Sequence, residues 1–130
     1  MIQLNLRTAT REEFLDITGQ VAAVLREHGW RSGMVHVFSP HTTAGITINE
    51  GADPSVRRDI LAALGRLVPH RGDYQHAEGN SDAHIKTSLM GAGAWVPIAE
   101  GRLCLGTWQA IYFCEFDGPR QRQVWLHLAT

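Results

Sequence analysis

The chain has 130 residues, of which 44% are hydrophobic and 19% are charged, and its formal net charge is −1. This length and composition predict a single compact domain over residues 1–130 and exclude a disordered chain or one that needs disulfides to fold. Because 12 basic and 13 acidic residues nearly cancel, no overall field is available to hold a polyanion, and we expect no nucleic-acid partner.

The first half of the chain predicts strands that alternate with helices. A capping box formed by Thr10 and Glu13 begins a helical pattern that Gly29 ends. Asp53, followed by proline at the first helical position, begins a second helix that ends before Pro69. Segments with alternating or β-prone side chains predict three strands, at 2–7, 34–38 and 44–50.

The second half predicts a long polar loop, from His70 to Ala83, followed by mostly antiparallel sheet. Glycines and the Asp117-Gly118-Pro119 turn separate its strand candidates. These candidates are 85–90, 94–98, 102–105, 107–116 and 122–128. The segment 107–116 is apolar on both faces, which is typical of a central strand covered on both sides.

No segment has the length and apolar character of a signal peptide core or a membrane span. We therefore expect a cytoplasmic protein with no membrane partner. Cys104 and Cys114 lie in strand-like apolar stretches, and in a reducing compartment such residues are predicted to be free, buried thiols.

The segment from His76 to Lys86 has a polar functional group at every second residue, and in an extended chain these groups would share one face. Two imidazoles that flank two carboxylates and an amide would supply nitrogen ligands and negative charge for a divalent cation. The five residues are His76, Glu78, Asn80, Asp82 and His84. A hydrophilic surface loop is the alternative, because the spacing of the two histidines matches no standard zinc motif.

His41 is a candidate for a third imidazole ligand. It follows a predicted strand and precedes Thr42, Thr43 and small residues that would let a ligand approach the backbone. A loop histidine bonded to a nearby carbonyl is the alternative. The choice depends on whether His41 converges with His76 and His84 in the fold.

Glu115 stands in a strand that is otherwise apolar on both faces. A carboxylate buried there needs a cation or hydrogen-bond donors. Two interpretations follow: Glu115 forms a structural ion pair, or it acts as a metal ligand or catalytic residue. The candidate partners are a metal, Lys86, Arg57, Arg58 and Arg120.

The turn that contains Asn49 and Glu50 leads into the second predicted helix, whose N-terminus could bind an anion. Asp53 is predicted to cap that helix and would occupy some of its free amides. Lys86 and Arg120 are therefore the better candidates for binding a phosphate.

Several motifs occur in an order that resembles the YjbQ-like family, and together they cover nearly the whole chain. They are HTTAGITINE at 41–50, Asp53-Pro54, the segment HAEGNSDAHIKTS at 76–88, and GTWQ at 106–109 with Glu115. The resemblance implies an α+β fold in which two helices pack on a mostly antiparallel, β-sandwich-like sheet. It also implies a homotrimer, metal association of His41, His76 and His84, and the thiamine-phosphate synthase activity attributed to some members.

In that activity, the nitrogen of a thiazole phosphate displaces pyrophosphate from an aminopyrimidine diphosphate. Our hypothesis is that a metal stabilises the phosphate charge and that acids near it, among them Glu115, take part in catalysis. Protons would be handled by Glu50, Glu78 or Asp82, with Lys86 and Arg120 adding positive charge. The expected substrate contacts are Thr42, Thr43, Asn49, Asn80, Lys86 and Arg120.

Three imidazoles favour zinc or a similar transition metal, whereas pyrophosphate chemistry commonly uses magnesium, which prefers oxygen ligands. This mismatch suggests that thiamine-phosphate synthesis is a side activity. One alternative is a metal-dependent hydrolase of a small phosphorylated or ester substrate. Another is a non-enzymatic trimer that binds a metal or a metabolite.

Overall fold

The computed structural model describes all 130 residues and contains eight strands and three helices. In chain order these are β1 (Ile2–Arg7), β2 (Glu13–Asp16), α1 (Thr18–His28), β3 (Gly33–Phe38), β4 (Ala44–Glu50), α2 (Pro54–Leu67), α3 (Ser81–Met90), β5 (Gly93–Ala99), β6 (Arg102–Leu103), β7 (Gln109–Glu115) and β8 (Gln121–Ala129). The predicted α+β class is confirmed, with a third helix that the sequence analysis did not anticipate. No helix has the length and apolar character needed to span a membrane.

The strands form two sheets in which every neighbouring pair is antiparallel. The five-stranded sheet has the order β1-β8-β3-β5-β6, and the three-stranded sheet has the order β2-β7-β4. β7 lies between two partners, so the prediction of a central strand within 107–116 is confirmed.

Both faces of β7 are buried, each in a different hydrophobic core. Ile111 and Phe113 belong to a core that contains inward-facing side chains of both sheets and of α1. Ala110 and Tyr112 point the other way, into a smaller core that also contains Leu64 of α2 and α3 side chains. The three-stranded sheet is therefore the middle layer of the molecule.

The predicted start of the first helix is wrong. The Glu13 carboxylate does accept hydrogen bonds from the backbone amides of residues 9 and 10, as a capping contact would. However, residues 13–16 pair with β7, and Phe14 is buried in the smaller core. Pairing and burial outweigh the local helical signal, so α1 begins only at Thr18. Its end is as predicted, because Gly29 closes it in a left-handed conformation with φ 64°.

The segment 85–90 is not a strand, because it belongs to helix α3. The buried positions of α3 are 82, 83, 86 and 87, which have helical spacing, but two of them carry charged side chains. Asp82 and Lys86 form an ion pair one turn apart. Because the buried face of α3 is made partly of charged side chains, the sequence has no apolar stripe at helical spacing there, and the helix could not be recognised from its pattern.

The predicted strand 102–105 is shorter than expected, with only Arg102 and Leu103 in β6. Cys104 lies beyond it and is exposed, contrary to our expectation of a buried thiol. Cys114 is buried, and burial raises the pKa of its thiol. Both cysteines are free thiols, as predicted.

Candidate functional site

Two of the three predicted metal-binding histidines lie side by side. His84 is on α3, on the side of the helix opposite the buried Asp82 and Lys86, and His76 is in the preceding loop. Their ring centroids are 5.3 Å apart and the rings are nearly perpendicular, at 89°. Oε2 of the exposed Glu78 lies 3.7 Å from Nε2 of His76.

The centroid separation of this imidazole pair is one that two ligands of a shared transition-metal ion would have, and it is also the ordinary separation of an edge-to-face ring contact. A metal–nitrogen distance of about 2.1 Å and a tetrahedral angle of about 109° place the centroids of two coordinating imidazoles about 5.2 Å apart. The observed separation is 5.3 Å. Within one chain, no group of three His, Cys, Asp or Glu side chains could hold a metal ion, so the pair would supply two ligands of a larger set.

The structure does not bring His41 into this pair. Its Nε2 accepts a hydrogen bond from the backbone amide of Gln123 on β8, at 2.9 Å, and its ring is nearly perpendicular to that of Phe113, with the centroids 6.2 Å apart. Burial, followed by the nearby Arg122 guanidinium, lowers the pKa of His41. Because Nε2 accepts this hydrogen bond, it carries no proton, and the proton of the ring is on Nδ1.

Glu115 forms a buried ion pair with Arg122, a partner that the sequence analysis did not consider. The carboxylate is fully buried, and its Oε1 lies 2.9 Å from Nε of Arg122. Oε1 also accepts from the Thr8 hydroxyl at 2.8 Å, and Oε2 accepts from the Asp117 amide at 3.1 Å. Of the two alternatives for Glu115, the structural ion pair is thus present in the fold.

A signal for Arg122 was present in the sequence. In the predicted strand 122–128, the inward-facing apolar residues occur at every second position, and Arg122 continues that series. In the structure it is 4% exposed. Its Nη2 also donates to the hydroxyl of Thr43, at 2.8 Å, so Thr43 is buried in this network while Thr42 is exposed.

Asp82 and Lys86 belong to a second buried ionic network. Nζ of Lys86 lies 3.2 Å from Asp82 and 2.9 Å from Glu12. Arg11 donates to both carboxylate oxygens of Asp82. Burial alone would raise the pKa of Asp82, but the hydrogen bonds from Arg11 and Lys86 outweigh it and lower that pKa. The network joins α3 to the segment before β2, and sequence analysis missed Arg11 and Glu12.

Asn49 and Glu50 satisfy local backbone groups in the turn before α2. Oδ1 of Asn49 accepts from the Glu50 amide at 2.7 Å, and Oε2 of Glu50 accepts from the Ala52 amide at 2.8 Å. Asp53 caps α2 through the Ser55 amide, as predicted. The capping bonds, ahead of other influences, lower the pKa of Asp53.

Asn80 and Arg120 meet at Asp117, in the turn between β7 and β8. The Asn80 side-chain amide donates to Oδ2 of Asp117 at 2.9 Å, and Nη2 of Arg120 lies 3.2 Å from the same oxygen. The carbonyl oxygen of the Asn80 side chain is buried without a partner. These two predicted substrate contacts are thus together, next to the Glu115 network, to which Asp117 is bonded through its amide.

Comparisons with known sequences match nearly the whole chain. The family model described as "UPF0047 protein YjbQ-like" matches residues 2–130. The UPF0047 protein YugU of Bacillus subtilis is 50% identical over 126 residues, which cover 96% of each chain. A UPF0047 protein of Methanocaldococcus jannaschii is 46% identical over 98% of this chain and 93% of its own.

Solved structures give the same result. A crystal structure of a YjbQ/UPF0047 family protein from Clostridium acetobutylicum matches with a TM-score of 0.97 and 54% identity, covering 99% of this chain and 100% of that one. A conserved hypothetical protein of Thermus thermophilus matches with a TM-score of 0.92 and 45% identity, with the same coverage. Sequence motifs, family model and fold agree, and the chain belongs to the UPF0047, or YjbQ-like, family.

Proposed function

We propose that this protein is a divalent-metal-dependent enzyme that acts on a small phosphorylated substrate. The observation that carries the proposal is the His76–His84 pair, whose 5.3 Å centroid separation suits two ligands of one tetrahedral ion. Imidazole ligands favour zinc or a similar transition metal over magnesium. When bound, such an ion supplies positive charge that stabilises a phosphate or pyrophosphate group.

The reaction that we propose to test first is of the thiamine-phosphate synthase type. A carbon–nitrogen bond forms between a thiazole phosphate and an aminopyrimidine, and the bond from that carbon to pyrophosphate breaks. The attacking thiazole nitrogen has no proton to lose, so any proton exchange concerns the departing pyrophosphate, and Glu78 is the best placed residue for it because it is exposed and next to His76. Asp82, Lys86 and Glu115 are held in buried ion pairs, so we assign them positioning roles.

A metal-dependent hydrolase is the second candidate function, and the exposure of the site favours it. The side chains of His76 and Glu78 are 45% and 75% exposed, so water has free access to the pair. An enzyme that transfers a group to an acceptor other than water usually excludes solvent. Closure of the site by another subunit would favour the condensation instead.

We also propose a homotrimer in which a neighbouring subunit's His41 supplies a third imidazole. Coordination through Nε2 would replace the hydrogen bond that this atom accepts from Gln123. The outer face of the five-stranded sheet supports self-association, because Trp95 is stacked on His36 at 4.4 Å and is 51% exposed. Phe38 and Trp125 continue this aromatic surface, and aromatic residues are enriched in protein interfaces.

Elemental analysis of untagged protein and of three single variants tests this proposal. The variants His76→Ala and His84→Ala should each lose stoichiometric metal while keeping the fold, as measured by circular dichroism. The variant His28→Ala is the control, because His28 is exposed at the end of α1, outside the loop that carries His76, whereas His70 is bonded to the Gly79 carbonyl within that loop. Full metal content in both His76→Ala and His84→Ala would contradict the proposal.

His41→Ala separates a shared site from a site within one chain. Loss of metal in this variant, with an unchanged assembly mass by light scattering, is expected if a neighbouring subunit contributes the ligand.

Product analysis with the two condensation substrates and with a panel of phosphate esters then distinguishes the candidate functions. Chelator-sensitive hydrolysis without condensation selects the hydrolase, and the absence of any turnover selects a binding protein.

A further inference from the structure

The buried face of α3 carries little apolar surface. Its buried side chains are those of Asp82, Ala83, Lys86 and Thr87, and only Ala83 is apolar. Most helices at the surface of a protein are oriented by an apolar stripe that packs on the core. Because α3 lacks such a stripe, the charged contacts of Asp82 and Lys86 are what can set its rotation about its own axis.

Both of these charges are held by the segment before β2. Nη2 of Arg11 donates to Oδ1 of Asp82 at 3.0 Å, and Arg11 also donates to the other carboxylate oxygen. Nζ of Lys86 donates to Oε2 of Glu12 at 2.9 Å. Asp82 and Lys86 are buried, so water competes little for these contacts. Two consecutive residues thus hold two positions that lie one helical turn apart.

The segment that carries Arg11 and Glu12 is itself fixed. The backbone carbonyl oxygen of Arg11 accepts a hydrogen bond from the Gly118 amide at 2.9 Å. The Glu13 carboxylate accepts from the amides of residues 9 and 10, and Glu13 is the first residue of β2, which pairs with β7. The segment cannot shift without breaking these bonds, so it is a rigid support for α3.

His84 lies on the far side of α3 from this support. It comes two residues after one contact and two before the other, and at about 100° per residue its side chain points away from both. A tilt of about 10° at the contacts, with a lever of about 10 Å across the helix, moves the ring by about 2 Å. Metal–ligand distances tolerate only about 0.2 Å. The 5.3 Å separation of the His76 and His84 rings therefore depends on how the opposite side of the helix is held.

We propose that Arg11 and Glu12 are positioning residues of the candidate site, which set the rotation of α3 and thereby hold the His84 ring against His76. They act through Asp82 and Lys86 rather than by contact with a substrate. The inference rests on the proposed function only in taking His84 as a metal ligand.

Loss of Arg11 or of Glu12 should leave α3 folded. Asp82 and Lys86 also pair with each other at 3.2 Å, so each keeps one charged partner. The two ends of the helix have bonds of their own, because the Asn80 side chain donates to Asp117 and the carbonyl oxygen of Gly91 accepts from a β4 amide. Variants of the segment should therefore let the helix rotate without unfolding it.

NMR of the metal-free, isotope-labelled protein tests the positioning directly. The edge-to-face contact at 5.3 Å brings ring protons of His76 and His84 within range of a nuclear Overhauser effect. This effect should be present in the wild type and lost in Arg11→Met and in Glu12→Ala. Arg11→Lys keeps the charge but not the two-armed contact, and it should retain a weakened effect. If Arg11→Met fails to fold, Glu12→Ala and Arg11→Lys decide.

Val24→Ala is the matched control for a general loss of stability. Val24 is buried in the larger core, and its truncation lowers stability without touching α3. The effect between the two rings should persist in this variant even where its urea midpoint falls as far as those of Arg11→Met and Glu12→Ala. An effect that is absent from the wild type, retained in Arg11→Met and Glu12→Ala, or lost equally in Val24→Ala would overturn the inference.

Zinc affinity gives a second readout, measured by competition with a chelating dye. Zinc should bind about tenfold or more weakly to Arg11→Met and Glu12→Ala than to the wild type, and equally well to Val24→Ala. Equal affinity in all four proteins would overturn the positioning role. If none of them binds zinc, the proposed metal site is rejected, and the contact between the two rings alone decides whether Arg11 and Glu12 position His84.

Discussion

Replacing Glu115 by glutamine should cost much of the stability of the fold, although it changes one atom. Oε1 would remain an acceptor for Nε of Arg122 and for the Thr8 hydroxyl. Oε2, however, becomes an NH₂ group that faces two donors, Nη2 of Arg122 and the Asp117 amide. The variant therefore leaves a buried guanidinium without its counter-ion and places donors against each other.

The expected magnitude follows from this burial. Removing one partner of a buried ion pair typically costs about 3–5 kcal/mol, because the remaining charge is uncompensated. At 0.05–0.15 kcal/mol per residue, a chain of this length has a free energy of unfolding on the order of 10 kcal/mol. Glu115→Gln should thus remove a third or more of it. A second substitution, Arg122→Met, should restore about 2 kcal/mol or more by removing the unpaired charge.

Urea unfolding at pH 7, followed by circular dichroism, measures these differences. The protein concentration must be held constant, because association makes apparent stability depend on concentration. Glu27→Gln is the matched control, since Glu27 is exposed on α1 and its replacement should change stability by less than about 0.5 kcal/mol. A loss below about 1 kcal/mol in Glu115→Gln, or additive losses in the double variant, would refute the reasoning.

Three further predictions concern other parts of the fold. The pKa of Asp82 is lowered in the folded protein, so the ionised carboxylate stabilises the fold above about pH 4. This contribution is lost as the pH falls through the lowered pKa. Asp82→Asn should therefore make the free energy of unfolding fall less steeply at acid pH. Gly45→Ala should lower the free energy of unfolding by about 1–3 kcal/mol, because the added Cβ would lie 2.6 Å from the carbonyl oxygen of Gly91. An unchanged midpoint of urea unfolding would contradict this. With Ellman's reagent, exposed Cys104 should react quickly and buried Cys114, whose pKa is raised, only on unfolding, so Cys104→Ser should abolish the fast phase.

Strands with regular alternation were predictable from the sequence, because period-two patterns follow directly from one buried face. The bounds of β1 and β4 agree with the prediction at every residue, and those of β3, β5 and β8 agree within one or two residues at each end. The errors fall where charges are buried or where tertiary pairing overrides a local signal. Asp82 and Lys86 concealed α3, and pairing with β7 turned residues 13–16 from helix into strand.

The candidate site was partly predictable, because the side-chain types of its residues are visible in the sequence while their partners are not. His76 and His84 were identified by residue type, although the reasoning assumed an extended segment and the structure has a loop and a helix. The position of His41 could not be derived, because no pattern along the chain encodes which β8 amide it contacts. The partner of Glu115 is likewise set by the turn that leads from β7 in one sheet to β8 in the other, which brings Arg122 back beside it.

The double burial of β7 has a consequence for cooperativity. Its alternate side chains belong to different cores, so the strand cannot separate from one core without exposing the other. Native-state hydrogen exchange should therefore assign one common opening free energy to the slowest amides of α1, β7 and the inner strands. A stable intermediate that retains only one of the two cores is not expected, and the chain should melt as a unit.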